Sequence, residues 1–190
     1  MRIGVFGGGF DPPHICHALA CHYVLATADV DLVLVVPCFR HPFGKRMAPF
    51  PDRLAMCRLA FAGPGSRVEV SDIESRLGGF SYTVETLCAL KAERPRDRFR
   101  LIVGSDILGE TAQWKSFDQV QRLAPLLVVP RGASAQGGLA FAFPDLSSTE
   151  IRAALARGED VSGVIPRRVL SYIRRKGLYA SPRPSRRKPA

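Results

Sequence analysis

The chain has 190 residues, of which 46% are hydrophobic and 23% charged, a balance typical of a globular domain and not of a disordered, collagenous or coiled-coil chain. No apolar run approaches the roughly 18 residues that a membrane-spanning helix needs, and the N-terminal residues lack the pattern of a secretory signal. The net charge of +10 is compatible both with an enzyme that handles phosphorylated small molecules and with a protein that binds RNA.

Apolar runs alternate with helical patterns along the chain, which is typical of a parallel sheet with crossover helices. Strands are predicted over residues 3–6, 30–37, 67–71, 100–103 and 126–129. Helices are predicted over residues 15–26, 52–62 and 83–92, as a broken stretch over 107–123, from the cap at Ser147-Ser148-Thr149-Glu150 onward, and from Pro166 to a stop at Gly177. We therefore expect a single doubly wound, Rossmann-like α/β domain with a mainly parallel sheet.

The domain is expected to span residues 1–180 and to be followed by a basic, disordered tail over residues 181–190. The five cysteines are an odd number and include no CxxC pair, which argues against a disulfide framework or a zinc ribbon. This cysteine usage predicts a protein of the reducing cytoplasm.

The most informative segment follows the first predicted strand and reads GGGFDPPHICH, from Gly7 to His17. Three glycines permit close approach of a ligand to the backbone, although the segment has neither the GxGxxG dinucleotide pattern nor a Walker GKS or GKT. Two prolines then lead into a helix whose first turn carries His14 and His17, three residues apart and therefore on one face. Because the free N–H groups of a helix start favour phosphate, and ligands of such sheets bind after the strands, we predict a phosphate site here.

Other interpretations of this segment are a structural turn with two surface histidines, a metal site and a thiol nucleophile. A transition metal bound by Cys16 and the histidines is disfavoured because the consecutive Cys16 and His17 point to different faces of a helix. Cys16 as a nucleophile beside His17 lacks an orienting acid that the sequence would reveal.

Two motifs resemble the nucleotidyltransferase superfamily, whose pattern GGxFDPxHxGH is followed near the C-terminus by SSTxIR; here they read GGGFDPPHICH and, over residues 147–152, SSTEIR. Within it, residues 1–179 resemble the nicotinate-nucleotide adenylyltransferases in SYTVETL over residues 81–87, GSD over residues 104–106, Trp114 and the ending YIRRKGLY. The resemblance implies that the protein is an enzyme of NAD biosynthesis. It would join ATP and nicotinate mononucleotide, with Mg²⁺, into nicotinate adenine dinucleotide (deamido-NAD) and release pyrophosphate.

The resemblance also implies roles for matched residues at the ATP end of the site. His14 and His17 would hold the ATP phosphates, while Lys45 and Arg152 would stabilise the charge that develops around the reacting phosphates. The expected ATP-binding residues are those of the glycine loop, the serine-rich helix start and one acid after a strand: Gly7, Gly8, Gly9, Phe10, Asp11, Ser148, Thr149 and Asp106. Mg²⁺ would bridge phosphate oxygens with water as its other ligands, so no metal-ligating residue of the protein is expected.

At the acceptor end, the resemblance implies that the backbone of Tyr82 and Thr83 reads the nicotinate carboxylate and that the ring of Trp114 stacks on the pyridine. Arg131 is a further candidate for a phosphate or carboxylate. Simpler alternatives are a core tryptophan at 114, a solvated arginine at 131 and, at Asp106, a helix N-cap.

Three positions depart from the family pattern. Cys16 replaces a glycine, Gly9 replaces a serine or threonine, and RHPFGK over residues 40–45 replaces a Pro-His-Lys arrangement. The competing functions are transfer to nicotinamide mononucleotide or phosphopantetheine, and a degenerate nucleotide- or RNA-binding module. We expect ATP and nicotinate mononucleotide as partners, and neither nucleic acid nor membrane; a homo-oligomer is compatible with the sequence.

Overall fold

The computed structural model describes residues 1–61, 63, 67–130, 144 and 146–180. The strands are β1 (Arg2–Gly8), β2 (Leu32–Pro37), β3 (Val68–Val70), β4 (Arg98–Gly104) and β5 (Leu126–Val129). They form one sheet in the order β3-β2-β1-β4-β5, and all four neighbouring pairs are parallel. The chain therefore builds one half of the sheet outward from β1 and then returns to build the other half, which confirms the predicted doubly wound α/β fold and places its switch point between β1 and β4.

Helices cover both faces of this sheet. They are α1 (Ile15–Thr27), α2 (Phe50–Phe61), α3 (Ile73–Leu77), α4 (Thr83–Glu93), α5 (Phe117–Leu123), α6 (Ser148–Arg157) and α7 (Arg167–Lys176), with a 3-10 helix over Ser105–Gln113. The predicted broken helix over residues 107–123 is thus divided between the 3-10 helix and α5, at a Ser116 whose φ is +53°. The five-residue α3 was not predicted, because one and a half turns are too short to show a helical period.

The core is divided between the two faces of the sheet. All six residues of β2 are buried, which is the reason that its sequence is a continuous apolar run. Leu34 packs with α4 and α5 on one face, and Val33 and Val35 pack with α1 and α2 on the other. Both faces are therefore covered, and the ends of the strands remain for a ligand.

A third cluster joins α6 and α7 to α2, through Met56, Ile151 and Ile173, each no more than 2% exposed. This packing brings the start of α6 against the loop that follows β1: the Ser148 hydroxyl donates to the Pro12 carbonyl oxygen at 3.0 Å, across 136 residues of chain. None of the helices formed by the described residues has the length and apolar character of a membrane span.

Candidate functional site

A cavity of about 740 Å³ lies at the carboxyl ends of the strands, beside the switch point. Its walls come from the loops after β1, β2 and β4 and from the first residues of α4. It brings together nine of the residues expected from the sequence: Gly7, Gly8, Gly9, His14, His17, Tyr82, Thr83, Asp106 and Trp114. Its volume is in the range of pockets that bind cofactor-sized ligands.

The glycine loop is shaped by what lies beneath it. A Cβ atom on Gly8 would meet the Phe10 ring at 3.1 Å, and one on Gly9 would meet the Met47 sulfur at 3.2 Å. The Phe10 ring is buried and packs edge-on against Phe61, while its backbone has a φ of +46°. Phe10 thus turns the loop and anchors it to the core, and only its backbone is available to a nucleotide.

His14, the N-cap of α1, and His17, in its first turn, have rings in contact at an interplanar angle of 35°. Their ring centroids lie 3.8 Å apart, and His14 is only 2% exposed. The backbone N–H of His14 donates to Nδ1 of His17 at 3.1 Å. In neutral His17 the proton must then be on Nε2, so that this ring presents a hydrogen-bond donor to the cavity.

Cys16 lies between the histidines and also lines the cavity. It is 7% exposed, and its thiol points to the Pro144 carbonyl oxygen at 3.7 Å. The thiol therefore occupies the border of the site, where a glycine would leave open space.

Asp11 and Arg152 join the glycine loop to the C-terminal helices. The buried Asp11 carboxylate accepts a hydrogen bond from the Tyr179 hydroxyl at 2.6 Å and another from the Ala48 N–H at 3.2 Å. Arg152 Nη1 donates to the Asp11 carbonyl oxygen at 2.7 Å and lies 3.6 Å from Oδ2. Both residues line a second, smaller cleft and not the main cavity, so the Asp11 side chain orients Arg152 and does not face the nucleotide space.

The start of α6 lies against the same loop. Ser147 caps the helix, since its side chain accepts a hydrogen bond from the Glu150 N–H at 3.2 Å. The Thr149 hydroxyl accepts from Nη2 of Arg152 at 3.2 Å. The positive end of the α6 dipole and the Arg152 guanidinium thus lie against the loop that follows β1, where the sequence predicts a phosphate site.

The acceptor end of the cavity is framed by the start of α4 and the end of the 3-10 helix. The Tyr82 N–H donates to the Phe80 carbonyl oxygen at 3.1 Å, whereas Thr83 is the first residue of α4, where no helical carbonyl accepts its N–H. The partly buried Trp114 packs edge-on against Phe117, with centroids 6.0 Å apart. Lys115 Nζ lies 4.4 Å from the centroid of the Tyr82 ring. The Thr83 amide is therefore better placed than that of Tyr82 to bind a carboxylate.

The loop between β2 and α2 contributes His41 to the cavity and leaves Lys45 exposed outside it. Nδ1 of His41 accepts a hydrogen bond from the Phe43 N–H at 3.2 Å. Burial, followed by the nearby Lys45 charge, lowers the pKa of His41. His41 is therefore a neutral donor at physiological pH, and Lys45 would have to move inward to reach a phosphate.

Sequence reasoning missed two buried ionisable groups beside the cavity. Glu74 accepts a hydrogen bond from the Phe39 N–H and another from the Thr86 hydroxyl, both at 2.9 Å, and burial raises its pKa. Arg53 is 1% exposed. A charged residue in a predicted helix is ordinarily expected on the side that faces solvent. Nothing in the neighbouring sequence therefore indicated that Glu74 or Arg53 is buried.

Two expectations, the acceptor role of Arg131 and the tail over residues 181–190, lie outside the described residues. Among the described residues, no group of three His, Cys, Asp or Glu side chains could hold a metal ion.

The chain is similar to known nucleotidyltransferases in sequence and in fold. The cytidylyltransferase-like family model matches residues 5–154. Among solved structures, Plasmodium falciparum nicotinic acid mononucleotide adenylyltransferase complexed with NaAD has a TM-score of 0.78 at 21% identity and covers 94% of this chain and 97% of its own. The fold and the family model together define a cytidylyltransferase-like nucleotidyltransferase.

Curated relatives narrow the class. The "Probable nicotinate-nucleotide adenylyltransferase" of Anaeromyxobacter dehalogenans strain 2CP-1 is 50% identical over 181 residues, which are 94% of this chain and 96% of the relative. That of Myxococcus xanthus strain DK1622 is 42% identical over 180 residues, 94% of this chain and 95% of the relative. The chain belongs to the nicotinate-nucleotide adenylyltransferase family, as its motifs predicted.

Proposed function

We propose that the protein transfers the adenylyl group of ATP to nicotinate mononucleotide and so makes nicotinate adenine dinucleotide in NAD biosynthesis. A phosphate oxygen of the mononucleotide attacks the α-phosphorus of ATP, the bond to the β-phosphate oxygen breaks, and pyrophosphate leaves. The observation that carries the proposal is the convergence of the glycine loop, the histidine pair and the Trp114 segment on one cavity. Membership of the family supports the same reaction.

At the ATP end, the protein aligns two anions and neutralises charge, which is most of what phosphoryl-type transfer requires. His17 donates from Nε2 to a phosphate oxygen, because its Nδ1 is held by the His14 backbone. His14 lines the cavity, whereas Lys45 and Arg152 lie outside it and would have to move inward to add positive charge around the leaving pyrophosphate. The glycine loop and the N–H groups of Ser148 and Thr149 cradle the phosphates, and Asp106 binds a ribose hydroxyl.

At the acceptor end, Trp114 stacks on the pyridine ring and the Thr83 amide binds the nicotinate carboxylate. The Lys115 ammonium lies on this side of the cavity, 4.4 Å from the Tyr82 ring centroid, but it is paired with the Glu85 carboxylate at 2.6 Å. The Thr83 amide is therefore the feature that favours an acidic ring substituent over the neutral amide of nicotinamide mononucleotide. Arg131 remains a further candidate for this end.

Mg²⁺ accompanies ATP in this proposal and neutralises charge on the phosphates. The ion would be held by phosphate oxygens and water, as the family resemblance implies. The five free cysteines favour the reducing cytoplasm as the place of action. Residues 1–180 form the catalytic domain, and residues 181–190 are not needed for turnover.

The test is pyrophosphate release with Mg-ATP and, in parallel, nicotinate mononucleotide, nicotinamide mononucleotide or phosphopantetheine, with the products weighed by mass spectrometry. We expect release and a dinucleotide product with the nicotinate nucleotide, and much less with the other two. Equal release with phosphopantetheine would contradict the acceptor, and no release despite ATP binding would favour a nucleotide-binding role.

A further inference from the structure

The backbone of Phe39, in the loop after β2, is held between a buried cation and a buried anion. Nη2 of Arg53 donates to the Phe39 carbonyl oxygen at 3.4 Å, and the Phe39 N–H donates to Oε2 of Glu74 at 2.9 Å. Arg53 is 1% exposed and Glu74 is 9% exposed. The proposed binding of ATP and of nicotinate mononucleotide uses neither Arg53 nor Glu74.

Arg53 reaches from this point to the ATP end of the site. Its Nη1 donates to the Gly9 carbonyl oxygen at 2.9 Å, and its Nε donates to the Ala48 carbonyl oxygen, also at 2.9 Å. The guanidinium is packed on the Phe50 ring, 5.5 Å from its centroid. One planar group thus fixes the glycine loop and two points of the loop that runs from β2 to α2.

Glu74 reaches from the same point to the acceptor end. Its Oε1 accepts from the Thr86 hydroxyl of α4 at 2.9 Å. The Ser81 hydroxyl, directly before Tyr82, accepts hydrogen bonds from the Phe39 N–H at 2.9 Å and the Arg40 N–H at 3.1 Å. The carboxylate therefore anchors the start of α4, from which Tyr82 and Thr83 face the cavity.

Arg53 is an unusual choice of residue for a role in packing alone. All three hydrogen-bond partners of Arg53 are main-chain carbonyls, and within the described part of the chain it forms no salt bridge. Burial of a charge without an ion-pair partner is costly, and an apolar side chain would fill the same space more cheaply. What a guanidinium supplies, and an apolar group cannot, is three donors in a rigid plane.

From this geometry we infer that Arg53 and Glu74 are positioning residues which, through the Phe39 backbone, hold the ATP end and the acceptor end of the cavity at a fixed separation. This inference rests on the proposed function, because in-line attack requires the mononucleotide phosphate and the α-phosphorus to be aligned when both substrates are bound. Arg53 does not line the cavity, and Glu74, which does, has its carboxylate engaged by the Phe39 N–H and the Thr86 hydroxyl. Their loss should therefore impair the chemical step more than the binding of either substrate alone.

The first test is kinetic. Arg53→Lys keeps the charge but replaces the planar fork by a single ammonium, and Glu74→Ala removes one of the two acceptors of the Phe39 N–H, leaving the Ser81 hydroxyl. We expect each to lower kcat about 10- to 100-fold, the scale of a misalignment of about 1 Å, while the Kd of each substrate measured alone changes by less than about threefold. Glu74→Gln keeps an oxygen for the Phe39 N–H and should retain most of kcat. Arg58→Lys and Glu93→Ala, exposed changes on α2 and α4, are matched controls.

The double variant Arg53→Lys/Glu74→Ala should lose less kcat than the product of the two single losses, because both act through one backbone segment. Unchanged kcat in both single variants, or multiplicative losses, would overturn the inference. A parallel loss of kcat, melting temperature and affinity for both substrates would also overturn it, since that is the result of a general structural defect.

Amide hydrogen exchange of the ligand-free protein provides a readout that does not depend on turnover. Arg53→Lys should speed exchange of the Phe39 amide at least about tenfold, although Arg53 does not touch that N–H, and Arg58→Lys should not. If the parent protein forms no dinucleotide, the proposed function fails while this measurement still decides whether the two residues are connected. An unchanged Phe39 amide would show that they are not.

Discussion

At the scale of single residues, the backbone of His14 determines which ring nitrogen of neutral His17 carries the proton. The His14 N–H donates to Nδ1 of His17, and the two ring centroids lie 3.8 Å apart. This gives neutral His17 a fixed tautomer, with its donor on Nε2 for the proposed phosphate site and no need to reorganise at the moment of reaction. The contribution of His17 should therefore be specific to the transition state.

We expect His17→Ala to lower kcat by at least about 100-fold, the scale for loss of one donor to a developing charge. The exposed His22 on the same helix provides the control, and His22→Ala should leave kcat unchanged. Steady-state pyrophosphate release measures both. Near-normal turnover by His17→Ala would remove His17 from the site.

Trp114 is half-buried, so its ring could either pack against the protein or stack on the substrate. Two substitutions distinguish these roles, one that removes the ring and one that keeps an aromatic surface. Trp114→Ala should raise KM for nicotinate mononucleotide about tenfold or more, in line with about 1–3 kcal/mol for stacking of a flat base on an aromatic ring. Trp114→Phe should restore most of this loss. Equal KM values in the two variants would show that the tryptophan is only a packing residue.

Cys16 narrows the border of the cavity where the family pattern has glycine. Cys16→Gly removes the thiol and opens that space, at a cost of about 0.3 kcal/mol in helix propensity. We expect the affinity for ATP, measured by titration calorimetry, to stay equal or to rise. A large loss of affinity would instead assign the thiol a direct part in nucleotide binding.

At the scale of elements, α6 depends on its first residue. Ser147 accepts from the Glu150 N–H, and Oε2 of Glu150 in turn accepts from the Ser147 N–H at 3.0 Å, which completes a capping box. This cap fixes the orientation in which Ser148, Thr149 and Arg152 meet the loop after β1. The precision of the phosphate site therefore depends on a residue outside it.

Ser147→Ala should lower the free energy of unfolding by about 1 kcal/mol, the usual effect of removing an N-cap. Urea denaturation of the parent and the variant measures the difference. Ser162→Ala is the control, since Ser162 bonds only within its own loop, to Asp160. A loss in the control as large as that in Ser147→Ala would refute the assigned role of the cap.

At the scale of the whole molecule, the buried Glu74 makes stability depend on pH. Burial raises the pKa of Glu74 above its usual value of 4.5, so the folded state binds this proton more tightly than the unfolded state does. The resulting stabilisation is complete below pH 4.5 and disappears as the pH rises through the raised pKa. Above that pKa, the folded protein contains an ionised carboxylate with little solvation.

We expect the free energy of unfolding of the parent protein, relative to that of Glu74→Gln, to fall as the pH rises from 4.5 through the raised pKa. Denaturation of both proteins at a series of pH values gives the difference curve. A flat or rising difference would show that the hydrogen bonds to Glu74 outweigh its burial.

Features that depend on short segments of sequence were predicted, whereas features that depend on packing between distant segments were not. The five strands, the glycine loop and the histidine pair were predictable, because each depends on neighbours within about ten residues. The burial of Arg53 and the engagement of Asp11 were not, because their partners lie up to 168 residues away. The same applies to Phe10, which was predicted among the ATP-binding residues and whose ring is buried in the core.

The hydrogen bond from Tyr179 to Asp11 makes the loop after β1 dependent on residues near the other end of the chain. Because that hydroxyl and Arg152 both hold Asp11, a cut or a frayed turn after the last helix would free a loop that lies 168 residues earlier in the sequence. Turnover should therefore depend on the C-terminal turn as well as on the sheet. In a time course of limited proteolysis, catalysis would disappear together with the C-terminal fragment, before the sheet itself is cleaved.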